Sequence, residues 1–280
     1  MTVRHDDSVP VRSIELEIDV PGTPEQVWQA IATGPGFSAW FCPTTVEERE
    51  GGAVTFFMGP GLESGGVVTA WDPPRRFAAE ERDWVPGAPP VATEIFVEAK
   101  AGGICRVRLV NSLFTSKADW DDQLAGFEKG WPLFLEILRL YLTHFPGALC
   151  SPARVLSMTT MNEEQAWATL LGGLGLTGAR PGQPHTTRGL DAPELTGVVE
   201  SVREHALLLR TDEPSPGVVA FGASDCGPQG MLVWLGLHFY GDTAAPIAAR
   251  EEPKWQAWLA QRFATAAPAG AASEAAEAVR

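Results

Sequence analysis

At 280 residues the chain is long enough for two compact units, and its 45% hydrophobic and 20% charged residues exclude a disordered or collagen-like polymer. A formal net charge of −14 without a basic cluster argues against nucleic acid or anionic lipid as a partner. No apolar run approaches the roughly 20 residues of a membrane-spanning helix, and Met1 to Pro10 is polar rather than a leader, so a cytoplasmic protein is expected.

In chain order, Ile14, Leu16, Ile18 and Val20 alternate with Glu15, Glu17 and Asp19, which predicts a strand with one buried face. Pro21-Gly22-Thr23-Pro24 turns the chain into a short helix capped by Thr23, with Val27, Trp28 and Ile31 on its apolar side. Gly34-Pro35-Gly36 is expected to stop it. From Val46 to Val110, short β-type runs separated by Gly and Pro pairs predict an antiparallel meander. In its last hairpin Val91, Thr93, Ile95 and Val97 share a face with Cys105, Val107 and Leu109, and Glu94 is expected near Arg108 on the solvated face. A long helix follows, its stripe running through Trp120, Leu124, Phe127, Trp131, Phe134, Leu138, Tyr141 and Phe145, with a kink expected at Pro132.

The order of signals then repeats. Glu25-Gln26-Val27-Trp28 returns as Glu164-Gln165-Ala166-Trp167 behind a second cap, Asn162; Gly66-Val67-Val68 returns as Gly197-Val198-Val199; Trp131, Phe134 and Leu135 return as Trp255, Trp258 and Leu259. Three matches in one order predict a duplication whose second copy is shorter by about fifteen residues. The expected domains are 1–147 and 148–264, with residues 265–280, mostly small and polar, as a disordered tail.

Motifs of catalysis are sparse. Cys42, Cys105, Cys150 and Cys226 lack the spacing of a zinc site or disulfide framework and read as reduced structural thiols, and His5, His144, His185, His205 and His238 fall at no metal-ligand spacing. Neither a metal nor a cofactor is expected. Gly173 to Gly178 fits GxGxxG but ends a helix instead of opening one, and Gly222 to Cys226 misses the last glycine of a nucleophile elbow. Glu80, Glu81 and Asp83 beside Arg82 could supply an acid or base where strand alternation turns them inward.

Strand, short helix, meander and long helix, with Thr23-Pro24-Glu25-Gln26-Val27-Trp28, Trp40-Phe41-Cys42-Pro43, Asp72-Pro73-Pro74-Arg75-Arg76-Phe77 and Gly130-Trp131, resemble the Hsp90-ATPase-activator-homologue (AHSA1-like) group of the SRPBCC superfamily. The resemblance covers residues 12–145 and is fainter beyond. It implies an α+β chain of two tandem helix-grip (START-like) units, each a curved antiparallel sheet wrapped around its long C-terminal helix, the second degenerate. It also implies an apolar cavity in the first unit, with Trp40, Phe56, Trp71, Trp84, Phe127 and Trp131 as candidate lining. The leading expectation is a non-catalytic protein that binds a hydrophobic or amphipathic small molecule. A polyketide-cyclase or dehydratase-like enzyme using polar cavity residues, and a module that contacts a chaperone or another protein partner, are the alternatives.

Overall fold

The computed structural model describes residues 11–59, 62–82, 84, 87–115, 120–187, 191–226 and 230–263; the first ten residues, Asp83 and the expected tail at 265–280 lie outside them. Two units divide the chain, one comprising residues up to Pro152 with Tyr240–Asp242 and the other Ala153–Phe239 with the residues from Thr243 onward.

In the first unit, β1 (Val11–Pro21) leads through α1 (Pro24–Ala32) and α2 (Gly34–Ser38) into six further strands. These are β2 (Thr44–Val46), β3 (Ala53–Gly59), β4 (Leu62–Asp72), β5 (Arg76–Glu81), β6 (Val91–Lys100) and β7 (Ile104–Phe114), and α3 (Asp121–His144) follows them. The sheet is antiparallel in the order β1-β7-β6-β5-β4-β3-β2, with α3 packed against β1. Thr23 caps α1 with a reciprocal box: its hydroxyl accepts from the Gln26 amide, and the Gln26 side chain accepts from the Thr23 amide at 2.9 Å.

Three expectations change here. Gly34-Pro35-Gly36 opens α2 instead of only ending α1, because Thr33 caps a new turn by accepting from the Gly36 amide at 3.0 Å. Helix α3 continues past Pro132, and its second half buries Leu133, Leu135, Ile137, Leu140 and Leu142 besides the expected stripe. Burial thus extends beyond the expected stripe, although Glu136 and Arg139 keep that half from being apolar all round. Glu94 pairs with Arg76 at 2.7 Å, while Arg108 pairs with Glu15 and lies over the Phe96 ring. The cause is the hairpin turn: Ala101, Gly102 and Gly103 form its loop, the two glycines at φ of 80° and 73°, so Glu94 faces Val110 and Arg108 faces Phe96.

The second unit is built on β8 (Cys150–Thr159), α4 (Glu163–Leu174), β9 (Pro184–Thr186), β10 (Thr196–Val202), β11 (Ala206–Glu213), β12 (Gly217–Asp225), β13 (Met231–Tyr240) and α5 (Ala244–Phe263), the first three residues of β8 and the last of β13 falling in the first unit. Its sheet order, β8-β13-β12-β11-β10-β9, is that of the first sheet with the last strand removed. Asn162 and Gln165 rebuild the capping box of Thr23 and Gln26, and α4 packs on β12 as α1 packs on β6. The helix-grip plan is therefore present twice, and the second copy lacks α2 and one edge strand.

Register makes the equivalence residue-specific. Gly66 faces Glu81 and Val68 faces Ala79, after which a bulge skips Thr69; Gly197 faces Thr211 and Val199 faces Leu209, after which a bulge skips Glu200. A Cβ at Gly66 would stand 2.5 Å from the Glu80 carbonyl oxygen, and one at Gly197 2.0 Å from that of Arg210. Glycine is required in both copies because the neighbouring strand passes over its α-carbon.

Candidate functional site

Alternation assigns each strand residue of the first sheet to an inner, core-forming face or an outer one. The outer face carries the ion pairs Arg76–Glu94, Arg106–Asp19 and Arg108–Glu15. The inner face is mostly apolar, through Val54, Phe56, Val68, Phe77, Ile95, Val107 and Leu109; besides Arg12 on β1 and Thr44 on the edge strand β2, a strip of four polar residues crosses it: Ser64 on β4, Glu81 on β5, Thr93 on β6 and Asn111 on β7. They sit on four consecutive strands, toward the end where the β5–β6 loop and the chain leading into α3 emerge.

Within this strip the groups pair in twos. The Ser64 hydroxyl donates to Glu81 Oε2, and the Asn111 amide nitrogen donates to the Thr93 hydroxyl at 2.8 Å. Among the described residues Glu81 has no cationic partner; burial pushes its carboxyl above the usual carboxylate range, and the Ser64 hydrogen bond offsets only part of that rise. Asn111 is 3% exposed and its Oδ1 has no hydrogen-bond partner. A buried acceptor without a donor costs about 1–3 kcal/mol. Glu81 is the only carboxylate on the inner face of the described strands.

The duplicate copy shows that the fold does not demand this polarity. Following the two registers outward from the matched bulges, Ser64, Glu81, Thr93 and Asn111 correspond to Leu195, Thr211, Val219 and Leu237. Three of the four are aliphatic and belong to the buried core, and Thr211 satisfies its own hydroxyl by donating to the Ser215 carbonyl at 2.9 Å. The second unit does hold His185 where the first holds Val54; burial lowers that imidazole's pKa, keeping it neutral, and its Nε2 lacks a partner.

The six aromatics read from the sequence fall into three places. Phe56 lies directly across the β3–β4 ladder from Ser64 and contacts Phe41, which stacks on Trp131 at 5.0 Å. Trp84, in the loop after Glu81, meets Phe127 and Trp120 at 5.8 Å and anchors its indole N–H on the Pro89 carbonyl. Trp40 is fully buried, donating to the Ala30 carbonyl at 2.9 Å, and belongs to the core. Trp71 stands at the opposite end of β4, edge-on to Trp28 of α1. Of the six, Phe56 is the one in register with a residue of the polar strip; Trp40 and Trp131 both meet Phe41, Trp84 and Phe127 meet each other, and Trp71 belongs to the far end of β4.

Of the acidic group, Glu81 turns inward; Glu80 lies on the other face, paired with Arg82 at 2.7 Å. Ser64, Thr93 and Asn111 were not among the residues singled out as candidates. Their signal was present as polar residues at apolar parity: Thr93 interrupts the series from Val91 to Val97, and Asn111 continues Cys105, Val107 and Leu109. Among the described residues no three His, Cys, Asp or Glu side chains gather as a metal site requires, and no helix is long and apolar enough to cross a membrane. The four cysteines are free thiols.

Residues 21–143 match the family described as activator of Hsp90 ATPase homolog 1-like protein. Over that span the first unit is similar to the AHSA1-like family. Similar solved structures include DynU16, from the dynemicin biosynthetic locus (17% identity, 88% of this chain and 94% of that one, TM-score 0.42). The di-domain ARO/CYC BexL from the BE-7585A biosynthetic pathway is 12% identical over 91% of this chain and 99% of its own, at a TM-score of 0.44. The Aha1 dimer from Colwellia psychrerythraea is 21% identical over 49% and 99%, at 0.39. The tandem helix-grip fold rests on the strand orders and helix positions above, and no residue role is taken from these structures. No curated protein matches the chain by sequence. The AHSA1-like unit is thus the half that carries both the family likeness and the inward polar strip.

Proposed function

We propose that the AHSA1-like unit binds a hydrophobic small molecule bearing polar groups, against the inner face of its sheet, and that the second unit is not a second receptor of the same kind. The observation that carries this reading is the Ser64, Glu81, Thr93 and Asn111 strip, set in an apolar wall and replaced by Leu195, Thr211, Val219 and Leu237 in the copy. Polarity that costs stability and that a second copy of the same strand plan does without is best accounted for by recognition. Phe56 and Trp131 supply apolar surface beside the strip, and Trp84 and Phe127 supply it at the strand ends.

Thermal-shift screening of the whole chain against hydrophobic bicyclic and tricyclic compounds tests the reading. Saturable stabilisation by a subset, weakened on replacing Asn111 by leucine, is expected; no stabilisation by any compound would sink it.

A catalytic reading has one observation in its favour, the inward, cation-free carboxyl of Glu81, placed to donate a proton. Turnover of a bound β-hydroxy ketone to its enone, abolished by Glu81→Gln while binding persists, would establish it; unchanged ligand after prolonged incubation leaves a receptor.

A further inference from the structure

Two features of the strip specify complementary chemistry on the occupant. Asn111 Oδ1 is an acceptor, buried and without a donor, while the same side chain's nitrogen is already committed to Thr93. Glu81 accepts from Ser64 through Oε2 and faces no cation across either neighbouring strand, where Gly66 and Val91 stand opposite it. When protonated, this carboxyl is a donor. The two groups lie two strands apart and two residues out of register, about 12 Å between α-carbons at the ordinary strand spacing and rise. A bicyclic frame with one hydrogen bond at each end covers that span.

We propose, extending the receptor reading above, that the ligand carries a hydroxyl group that donates to Asn111 Oδ1 and a carbonyl oxygen that accepts from the carboxyl of Glu81, the two held on one apolar ring frame. The hydroxyl completes the one hydrogen bond the strip leaves unmade, and the carbonyl takes the proton that Glu81 can offer. Arg12 lies on the same inner face, opposite Leu113 on β1, but has interactions of its own, so the recognition assigned here rests on the two neutral hydrogen bonds.

Calorimetric titration of the full chain with four matched probes tests this: tetralin, 1-tetralone, 5,6,7,8-tetrahydro-2-naphthol and 6-hydroxy-1-tetralone. Each added polar group is expected to tighten binding about tenfold, the size of a neutral hydrogen bond that fills an empty position. Asn111→Leu should abolish the hydroxyl increment and keep the ketone increment; Glu81→Thr should do the reverse. Both substitutions install residues that the second unit already tolerates at those positions. The wild-type series alone decides the matter should a variant fail to fold. Four probes binding within twofold of one another would overturn the assignment while leaving the receptor standing, and four probes failing to bind would remove both.

Discussion

Asn111 and Glu81 set stability and recognition against each other at the level of single side chains. Asn111→Leu removes an unpaired buried acceptor and substitutes the residue found at the equivalent place, Leu237. Urea unfolding of that variant should show a stability unchanged or raised by about 1 kcal/mol, where most buried substitutions destabilise. Glu81 leads to a pH dependence with a definite sign. Burial raises its folded-state pKa above the ordinary 4.5, so its contribution is intact below about that pH and is lost as the pH climbs through the folded value. Glu81→Gln, neutral throughout, should gain melting temperature over the wild type between pH 4.5 and about pH 8, by a few degrees at the upper end. A constant difference across that range would mean that folding leaves the pKa of this carboxyl where it is in the unfolded chain. Parity alone made Thr93 and Asn111 legible as inward residues, whereas Glu81 needed the β4–β5 pairing. A run reading Phe77-Ala78-Ala79-Glu80-Glu81, buried on both faces up to Glu80, has no alternation to say which carboxylate turns in.

At the scale of elements, the caps and glycines were the most readable features, since each answers a local demand. Thr23 and Asn162 satisfy the first amides of their helices, and alanine at either should cost about 1 kcal/mol in thermal or chemical unfolding. Gly66 and Gly197 are stricter. The crossing strand leaves no room for a β-carbon, so alanine at either should destabilise by about 1–3 kcal/mol through forced displacement of a carbonyl. A loss below 0.5 kcal/mol, on the order of the helix-propensity scale, would show that the bulge relaxes freely. What the sequence did not disclose at this scale were pairings fixed by turn geometry. Two left-handed glycines in a three-residue loop decide whether Glu94 meets Arg108 or Arg76, and their letters do not reveal the loop's length. Helix α2 escaped notice for a similar reason, because Gly34-Pro35-Gly36 is written in helix-stopping residues and becomes helical only once Thr33 caps it.

Taken as a whole, the molecule holds two versions of one framework, and the repeat was legible because its matches mark structural necessities: a cap, a bulge glycine and a helix tryptophan. Trp131 and Trp255 fall at corresponding places in the two long helices, one stacked beside Phe41 near the polar strip, the other enclosed with Phe221 and Trp258 in the apolar core. A single polypeptide therefore carries its own blank. With fluorotryptophan incorporated throughout, a titration should move the Trp131 resonance and saturate at one equivalent per chain while Trp255 stays in place. Equal movement of both would place the receptor elsewhere. Changes of salt, temperature or crowding act on both copies of the framework, so the difference between the two signals isolates occupancy from condition, a reference channel that most binding proteins must be given from outside.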